Sequence, residues 1–240
     1  MKFYDLHVHS DFSIGTSSVS AIAKMAKRLG LAGIAVADLF IDEPRLGKLR
    51  EATEAAAKEH GIDVHTGVEL QPKDPEELKR MLDAVRGVAD VVIVAGGDYK
   101  VNRAACEDAR VDILAHPEFG RKDNGLDEQC FAAAIKNNVA IEINFRHVLF
   151  SYKRSRAHVL EHIATNIRLA NEKGAKLIVC SGANSTWEMR DARQMIAVTN
   201  VLGMDLSKAF LSSSEIPLSI IARNRKVLDG TEIGKGIELV

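Results

Sequence analysis

The sequence predicts an α/β fold, a TIM-like (β/α) barrel with seven clear strands in a single domain that spans residues 1–240. Short β-rich runs alternate with helix-like stretches from one end of the chain to the other. This alternation is typical of parallel strands joined by helical crossovers. The turn after the first strand lacks a GxGxxG sequence, the usual sign of a dinucleotide-binding sheet. A closed barrel is therefore favoured, and an open doubly wound sheet is the alternative.

The predicted elements follow from apolar periodicity and from turn and cap signals. Strands are expected at 3–9, 33–39, 63–70, 91–97, 112–117, 139–145 and 176–183. Helices are expected at about 18–29, 44–60, 75–86, 100–109, 126–137, 155–173 and 188–201. Pro44 and Pro75 suit first helical turns. An eighth strand at 209–214 is only weakly indicated, and a C-terminal helix at about 218–225 is better supported.

Composition excludes several classes of protein. No apolar run approaches the roughly 20 residues that span a bilayer, so no membrane association is expected. The three cysteines are scattered singly, which suits a reducing compartment and predicts a cytoplasmic protein. The net charge of −1 is divided unevenly along the chain. Residues 1–139 carry 18 Lys and Arg against 23 Asp and Glu, whereas residues 140–240 carry 14 against 10.

The ends of the predicted strands carry residues that can bind a metal ion. His7 and His9 share one strand face because side chains alternate with a period of two. Glu69 ends the third strand and His116 the fifth, and the carboxyl ends of parallel barrel strands meet at one rim. These four residues therefore form a candidate metal site. A single His-x-His is more often a packed, hydrogen-bonded pair, which remains the alternative.

The stretch YDLHVHSDFS resembles the first motif of polymerase and histidinol phosphatase (PHP) type metallophosphoesterases. Asp38, Glu69 and His116 match ligand positions that this resemblance implies. Other positions depart from the pattern, because Leu39 stands where a histidine is expected and CSGANST lacks the late Asp-x-His. These losses predict that no two- or three-ion centre forms. One divalent ion (Mg, Mn or Zn) is compatible with what remains, and no other cofactor is expected.

Longer stretches resemble a second family. ILAHPEFGRKDNGLDE, NNVAIEINFRHVLF and especially SGANSTWEMRDAR are similar to the protein component 3 family of archaeal ribonuclease P. This is the thirty-kilodalton subunit family shared with the eukaryotic enzyme, and the resemblance covers essentially the whole chain. It implies a role in removing 5′ leaders from precursor tRNA. It also implies that the RNA subunit performs the chemistry, and that the partners are this RNA, precursor tRNA and other protein subunits, particularly component 2.

Clustered basic residues agree with contact to RNA phosphates. The segment 145–156 carries four of them and no acidic residue. Arg223, Arg225 and Lys226 form a further basic group near the C-terminus. Neighbouring aromatic residues, among them Phe150 and Trp187, are suited to stack on unpaired bases. The predicted RNA-binding residues are Arg121, Lys122, Arg146, Lys153, Arg154, Arg156, Arg190 and Arg193.

Each of these assignments has a structural alternative. Arg190 and Arg193 are expected on one helix face, where pairing with Glu188 and Asp191 would occupy them. Trp187 is expected to pack against the barrel helices if it does not meet RNA. For the chain as a whole, the alternative function is a stand-alone metal-dependent PHP-type phosphoesterase that uses the strand-end histidines.

Overall fold

In the computed structural model, which describes residues 1–230, 232–234 and 237–238, seven parallel strands form one sheet that curls into a nearly closed barrel. The sheet follows chain order from β1 to β7, so each strand pairs with its neighbour in sequence. The strands are β1 (Tyr4–Val8), β2 (Gly33–Leu39), β3 (Asp63–Leu70), β4 (Val91–Ala95), β5 (Ile113–Ala115), β6 (Ala140–Asn144) and β7 (Leu177–Cys180). The predicted fold class is confirmed.

Helices connect the strands and surround the barrel. They are α1 (Val19–Arg28), α2 (Glu43–His60), α3 (Pro75–Val85), α4 (Tyr99–Glu107), α5 (Glu128–Asn137), α6 (Phe145–Phe150), α7 (Lys153–Lys173), α8 (Ala192–Val201), α9 (Leu206–Ser212) and α10 (Glu215–Leu228). A short antiparallel pair, β8 (Glu232–Gly234) and β9 (Ile237–Glu238), follows α10. Within the described ranges, no helix combines the length and apolar character that crossing a membrane would need.

The predicted elements match well, and the main differences lie in the second half of the chain. Residues 209–214 lie in α9 and the turn after it, so the weak eighth strand is wrong and the C-terminal helix is confirmed. The short helix α6 was not predicted, because six residues show no helical period. Helix α7 begins at Lys153 rather than Ser155.

The barrel closes at a seam between β1 and β7. Val8 bridges Ala183 just beyond the end of β7. The His9 amide donates to the Ala183 carbonyl (2.8 Å), and the Gly182 amide donates to the His7 carbonyl (3.0 Å). The seam therefore places the His-x-His strand beside the loop that follows β7, at the carboxyl end of the barrel.

Two layers of apolar side chains stabilise the barrel. The larger lies between strands and outer helices, as parallel strands covered by helices require. The smaller fills the barrel interior with side chains such as Leu6, Ile93 and Ile178. Ile220 and Ile221 of α10 join this interior layer, so α10 covers the amino end of the barrel.

The buried carboxylate of Asp112 binds residues of α10 and so stabilises the position of this helix. Asp112 has no exposed surface and accepts hydrogen bonds from the Val92 amide (2.8 Å), Asn224 Nδ2 (2.6 Å) and Arg86 Nη1 (3.2 Å). Arg223 also ion pairs with Asp112. Arg223 therefore has a structural role at the amino end of the barrel, although the sequence placed it in a basic cluster.

Replacing Asp112 by alanine should strongly destabilise the protein, because Arg86 and Arg223 would keep their charges in a mostly buried site without a partner. Loss of one member of a buried ion pair costs about 3–5 kcal/mol. Chemical denaturation should show this decrease in the free energy of unfolding. The matched control is Asp83→Ala, which removes the largely exposed partner of Arg110 and should cost about 1 kcal/mol or less. Equal effects of the two substitutions would contradict the structural role of Asp112.

Candidate functional site

The carboxyl end of the barrel holds a buried cluster of histidines and carboxylates. His7, His9 and Glu69 lie on β1, just after it, and on β3, and all three are buried. The Nε2 atoms of His7 and His9 are 3.1 Å apart. The Glu69 carboxylate lies 3.6 Å from His7 Nε2 and 3.7 Å from His9 Nε2. One ligand atom from each of the three falls within 4.8 Å of the others, a spacing that can hold a metal ion.

His116 belongs to the same cluster but contacts it differently. Its Nε2 lies 3.2 Å from Glu69 Oε1, within hydrogen-bonding distance. The group whose ligand atoms converge does not include it. His116 also has a positive φ of 35°, a conformation that non-glycine residues seldom adopt and that often marks functional sites. In this geometry His116 orients Glu69 rather than completing a set of four ligands.

Glu142 at the end of β6 supports His7 from the other side. Its Oε1 lies 2.7 Å from His7 Nδ1, so His7 has a carboxylate at one ring nitrogen and His9 at the other. This carboxylate–histidine arrangement is common behind metal-binding histidines, where it fixes the ring tautomer. Glu142 is not among the metal-site residues predicted from the sequence.

Charges within the cluster are strongly coupled. Burial opposes protonation of His7, but Glu142 and Glu69 outweigh burial and raise the pKa of His7 to about 9. Burial and the positive charge of His7 lower the pKa of His9 to about 4. Burial disfavours the Glu69 carboxylate, yet the hydrogen bond with His116 and the charge of His7 lower the pKa of Glu69 to about 2. In the metal-free chain, the positive charge of protonated His7 therefore offsets the negative charges of the Glu69 and Glu142 carboxylates.

Asp38 lies apart from this cluster. Its carboxylate accepts from the Ser10 amide (2.9 Å) and from the hydroxyl groups of Ser10 and Ser13. These contacts fasten the loop after β1. Asp38 thus satisfies its hydrogen-bonding capacity within the protein and is not among the converging ligand atoms.

The late metal motif is replaced by tight packing. Gly182 has a φ of +61°, and a Cβ added there would lie 2.4 Å from Asn144 Nδ2. An aspartate at 182 would therefore collide with Asn144, which is buried and donates to Glu142 Oε2 (3.1 Å). The space that a further anionic ligand would need is filled by an uncharged amide.

A cavity of about 800 Å³ lies beside the cluster. The loop of residues 116–126, here called the β5 loop, forms one wall, and α6 with the first half of α7 forms the other. His147 connects the two sites, because its ring centroid is 4.9 Å from that of His116 and the same His147 ring lines the cavity. Four of the eight predicted RNA-binding residues also line it: Arg121, Lys122, Arg146 and Arg154.

The predicted RNA-binding residues differ in whether their charged groups already contact other groups of the protein. Arg121 ion pairs with Asp123 (2.6 Å) and donates to the Gly97 carbonyl (3.1 Å). Arg156 donates to the Ser151 carbonyl (2.8 Å). Lys122, Lys153 and Arg154 are exposed and have no ion pair or hydrogen bond within the described residues. Those three are the cations best placed to meet an external anion.

Arg146 and Arg190 lie at the same end of the barrel but are engaged with protein groups. Arg146 ion pairs with Glu188 through Nε (2.9 Å) and its guanidinium lies 4.5 Å from the centre of the Phe150 ring. Arg190 donates to the carbonyls of Trp187 (2.9 Å) and Met189 (2.8 Å). The expected partner of Arg190, Glu188, is thus taken by Arg146.

Arg190 and Arg193 do not share a helix face, so this prediction is wrong. Asp191 caps α8 by accepting from the Gln194 amide (3.1 Å), and the helix begins at Ala192, after Arg190. Arg193 lines a groove with Phe3, beside the amino end of β1. It therefore lies away from the carboxyl-end rim.

Trp187 is also placed differently from the expected packing against barrel helices. Its side chain is 86% exposed, on the loop between β7 and α8. Three histidines that the sequence left without a role, His147, His158 and His162, line the cavity. The spacing of four between His158 and His162 was a usable signal, because such residues share a helix face.

Comparison with known proteins places the chain in a family. The family model described as RNase P subunit p30 matches residues 2–227. Ribonuclease P protein component 3 of Methanosarcina mazei is 34% identical over 99% of this chain and 98% of that protein. The protein of the same name from Methanosarcina acetivorans is 35% identical, over 100% of this chain and 96% of its own length.

Solved structures agree on the fold. A chain in a cryo-EM structure of archaeal ribonuclease P with mature tRNA superimposes with a TM-score of 0.81 and 24% identity, covering 98% of this chain and 97% of that chain. Histidinol phosphate phosphatase from Lactococcus lactis, complexed with Zn, L-histidinol and phosphate, gives a TM-score of 0.61 and 16% identity, covering 87% and 94%. Since the sequence match extends from β1 to α10, this chain belongs to the RNase P subunit p30 family.

Proposed function

We propose that this chain is a protein subunit of ribonuclease P, the ribonucleoprotein that removes 5′ leaders from precursor tRNA. The observation that carries this proposal is the match over residues 2–227 to the RNase P subunit family. Its relatives of 34–35% identity carry the name of one protein component of that enzyme. The expected partners are the RNase P RNA, precursor tRNA through the assembled particle, and other protein subunits, particularly component 2.

Within the particle, we expect the chain to organise RNA rather than to cleave it. The start of α7 supports this role, because its first turn has no acidic residue and carries Lys153, Arg154 and Arg156. Cations at a helix N-terminus oppose the helix dipole and each cost about 0.3–1 kcal/mol. A bound phosphate would offset this unfavourable interaction. It would pair with the side-chain cations and accept hydrogen bonds from the free backbone amides at the start of the helix.

The strand-end cluster supports one divalent ion. Two nitrogens on a tetrahedral ion with bonds of 2.0–2.1 Å lie about 3.3 Å apart, close to the 3.1 Å between His7 Nε2 and His9 Nε2. Two imidazoles and one carboxylate suit zinc or manganese better than magnesium, which prefers oxygen ligands. Such an ion, when bound, would supply Lewis acidity.

A stand-alone phosphoesterase is not favoured. Asp38 is engaged by serines, Leu39 has no ligand atom, and Asn144 fills the space at position 182. A second ion would therefore lack the anionic ligands that hold two cations close together.

Removing the unpartnered cations should weaken RNA binding. Lys122, Lys153 and Arg154 changed together to alanine should lower the slope of log K against log salt by about 2 to 3, because each phosphate contact contributes roughly 0.7–0.9. Activity of the reconstituted particle at limiting protein should fall in parallel. The measurement is a salt titration of binding to RNase P RNA.

The matched control changes Lys24, Lys58 and Lys79 to alanine, since these exposed lysines lie on α1, α2 and α3. This variant should keep the wild-type slope. If both triple variants behave alike, the start of α7 is not an RNA contact. If the particle is equally active without the chain, the proposed function itself is wrong.

The isolated chain should not hydrolyse phosphate esters. We expect no turnover of a chromogenic phosphomonoester or of a phosphodiester above background with zinc, manganese or magnesium, because a single ligand trio converges among the residues that the structure describes. Turnover that disappears in His9→Ala would overturn this expectation and favour the phosphoesterase.

Metal titration should reach at most one ion per chain. His9→Ala should abolish zinc or manganese binding, and His116→Ala should weaken it by about 10–100-fold, since loss of a residue that orients a ligand has effects of this size. Calorimetry with elemental analysis measures both. His60→Ala, outside the cluster, is the control. Unchanged binding in His9→Ala would show that the ion lies elsewhere.

A further inference from the structure

The cavity beside the cluster has the size of a small-molecule site. Its volume of about 800 Å³ falls within the range of about 300–1,000 Å³ that is usual for ligand pockets. The β5 loop that forms one wall is firmly held. Asn102 is fully buried and donates through Nδ2 to the carbonyls of Pro117 (2.9 Å) and Gly125 (2.9 Å). Asn124 Nδ2 donates to Asn166 Oδ1 on α7 (2.8 Å), which ties the two walls together.

One buried acidic residue lies in the cavity wall with a carboxylate oxygen that has no hydrogen-bond partner. Glu118 lines the cavity, is 5% exposed, and has an Oε1 atom that accepts no hydrogen bond. Its nearest potential ion-pair partner is His147, whose Nδ1 lies 3.8 Å from Oε1, too far for a hydrogen bond. A buried carboxylate without donors costs free energy. A ligand with N–H groups would remove that cost.

Aromatic rings line the same space. Phe119 stacks on His147 with ring centroids 4.7 Å apart and an angle of 28° between planes. Although it lines the cavity, Phe119 is 59% exposed, and Phe150 on the opposite wall is 49% exposed. Exposed rings beside a pocket provide stacking surfaces for a flat heterocycle.

Cations occupy the part of the lining that belongs to the first half of α7 and to the middle of the β5 loop. Lys122 and Arg154 line the cavity and have no protein partner among the described residues. They are joined there by the amino end of α7, which favours anions. A phosphate is attracted to this group and repelled by Glu118, so the two ends of a ligand are distinguished electrostatically.

We propose that the cavity receives one unpaired nucleotide of an RNA strand, with its base on Phe119 and its phosphate at Lys122 and Arg154. Guanine fits best, because its N1–H and N2–H donors lie side by side and can both donate to the Glu118 carboxylate. Uracil offers a single N–H between two carbonyl oxygens, which the carboxylate repels. This inference rests on the proposed function and specifies a base-recognition site within it.

The test measures binding of fluorescein-labelled pentamers UUGUU and UUUUU to the full-length chain by anisotropy. We expect UUGUU to bind about tenfold more tightly, since a good two-point contact to a base edge is worth about one factor of ten or more. Glu118→Gln keeps the shape but removes the charge, and it should abolish the preference. Phe119→Ala should weaken both pentamers. Lys58→Ala, on the outer helix α2, should change neither.

Circular dichroism melts of each variant confirm that the chain is folded before binding is compared. Equal affinity for the two pentamers, or a preference unchanged in Glu118→Gln, would overturn the inference. Tighter binding of free guanosine monophosphate than of UUGUU would show that the ligand is a free nucleotide, and it would overturn the assignment to an RNA strand. Loss of pentamer binding when component 2 is added, with the cavity covered, would assign the site to a protein contact.

Failure here is distinguishable from failure of the proposed function. If the particle still depends on this chain for activity while Glu118→Gln and Phe119→Ala leave pentamer binding unchanged, only the nucleotide site is wrong. If the particle does not need the chain, the proposed function is wrong whatever the cavity binds.

Discussion

The seam between β1 and β7 is the constraint on which the functional end of the molecule depends. Only two backbone hydrogen bonds and one bridge join His7, Val8 and His9 to residues 182–183 within the described chain. They bring the first strand beside the last and turn an open row of strand ends into a ring. Without this closure, His7 on β1 would not face Glu142 on β6. The buried cluster, and the cavity beside it, follow from that ring.

Within the ring, the charges of His7 and the two carboxylates beside it balance one another. The carboxylates of Glu69 and Glu142 lie on either side of His7, and both favour its protonated form. A proton or one divalent ion can therefore satisfy the same carboxylates. Packing at Gly182 and Asn144 blocks the anionic ligand that a larger centre would need. The barrel shares its fold with histidinol phosphate phosphatase, and its described residues bring one group of three potential ligand residues together.

Much of the fold was predictable from sequence because its signals are local. Strand periodicity and helix caps identified the seven strands and most helices, and the polar residues at strand ends identified His7, His9 and Glu69 as neighbours. The start of α8 was also within reach, because Asp191 with Gln194 three residues on is a capping signal. This capping signal places Arg190 before the helix. The prediction that Arg190 and Arg193 share a helix face did not take it into account.

Other features could not be predicted because they depend on how distant segments pack. The cavity exists only where the β5 loop meets α7, and Glu118 becomes a buried, unpartnered acid only in that arrangement. Likewise Arg223 looks like one basic residue among several until the fold brings it to Asp112, 111 residues earlier in the chain. The sequence shows which side chains are charged, but the fold determines which residues those side chains pair with.

The exposed indole of Trp187 has a practical consequence for studies of this protein in solution. It is the single tryptophan of the chain, and it lies on the loop after β7 rather than in either apolar layer. Because its ring already contacts water in the folded state, its emission spectrum changes little when the barrel unfolds. The same fluorophore responds directly to any molecule that covers this loop, so intrinsic fluorescence monitors docking at the carboxyl end of the barrel and not the integrity of its core.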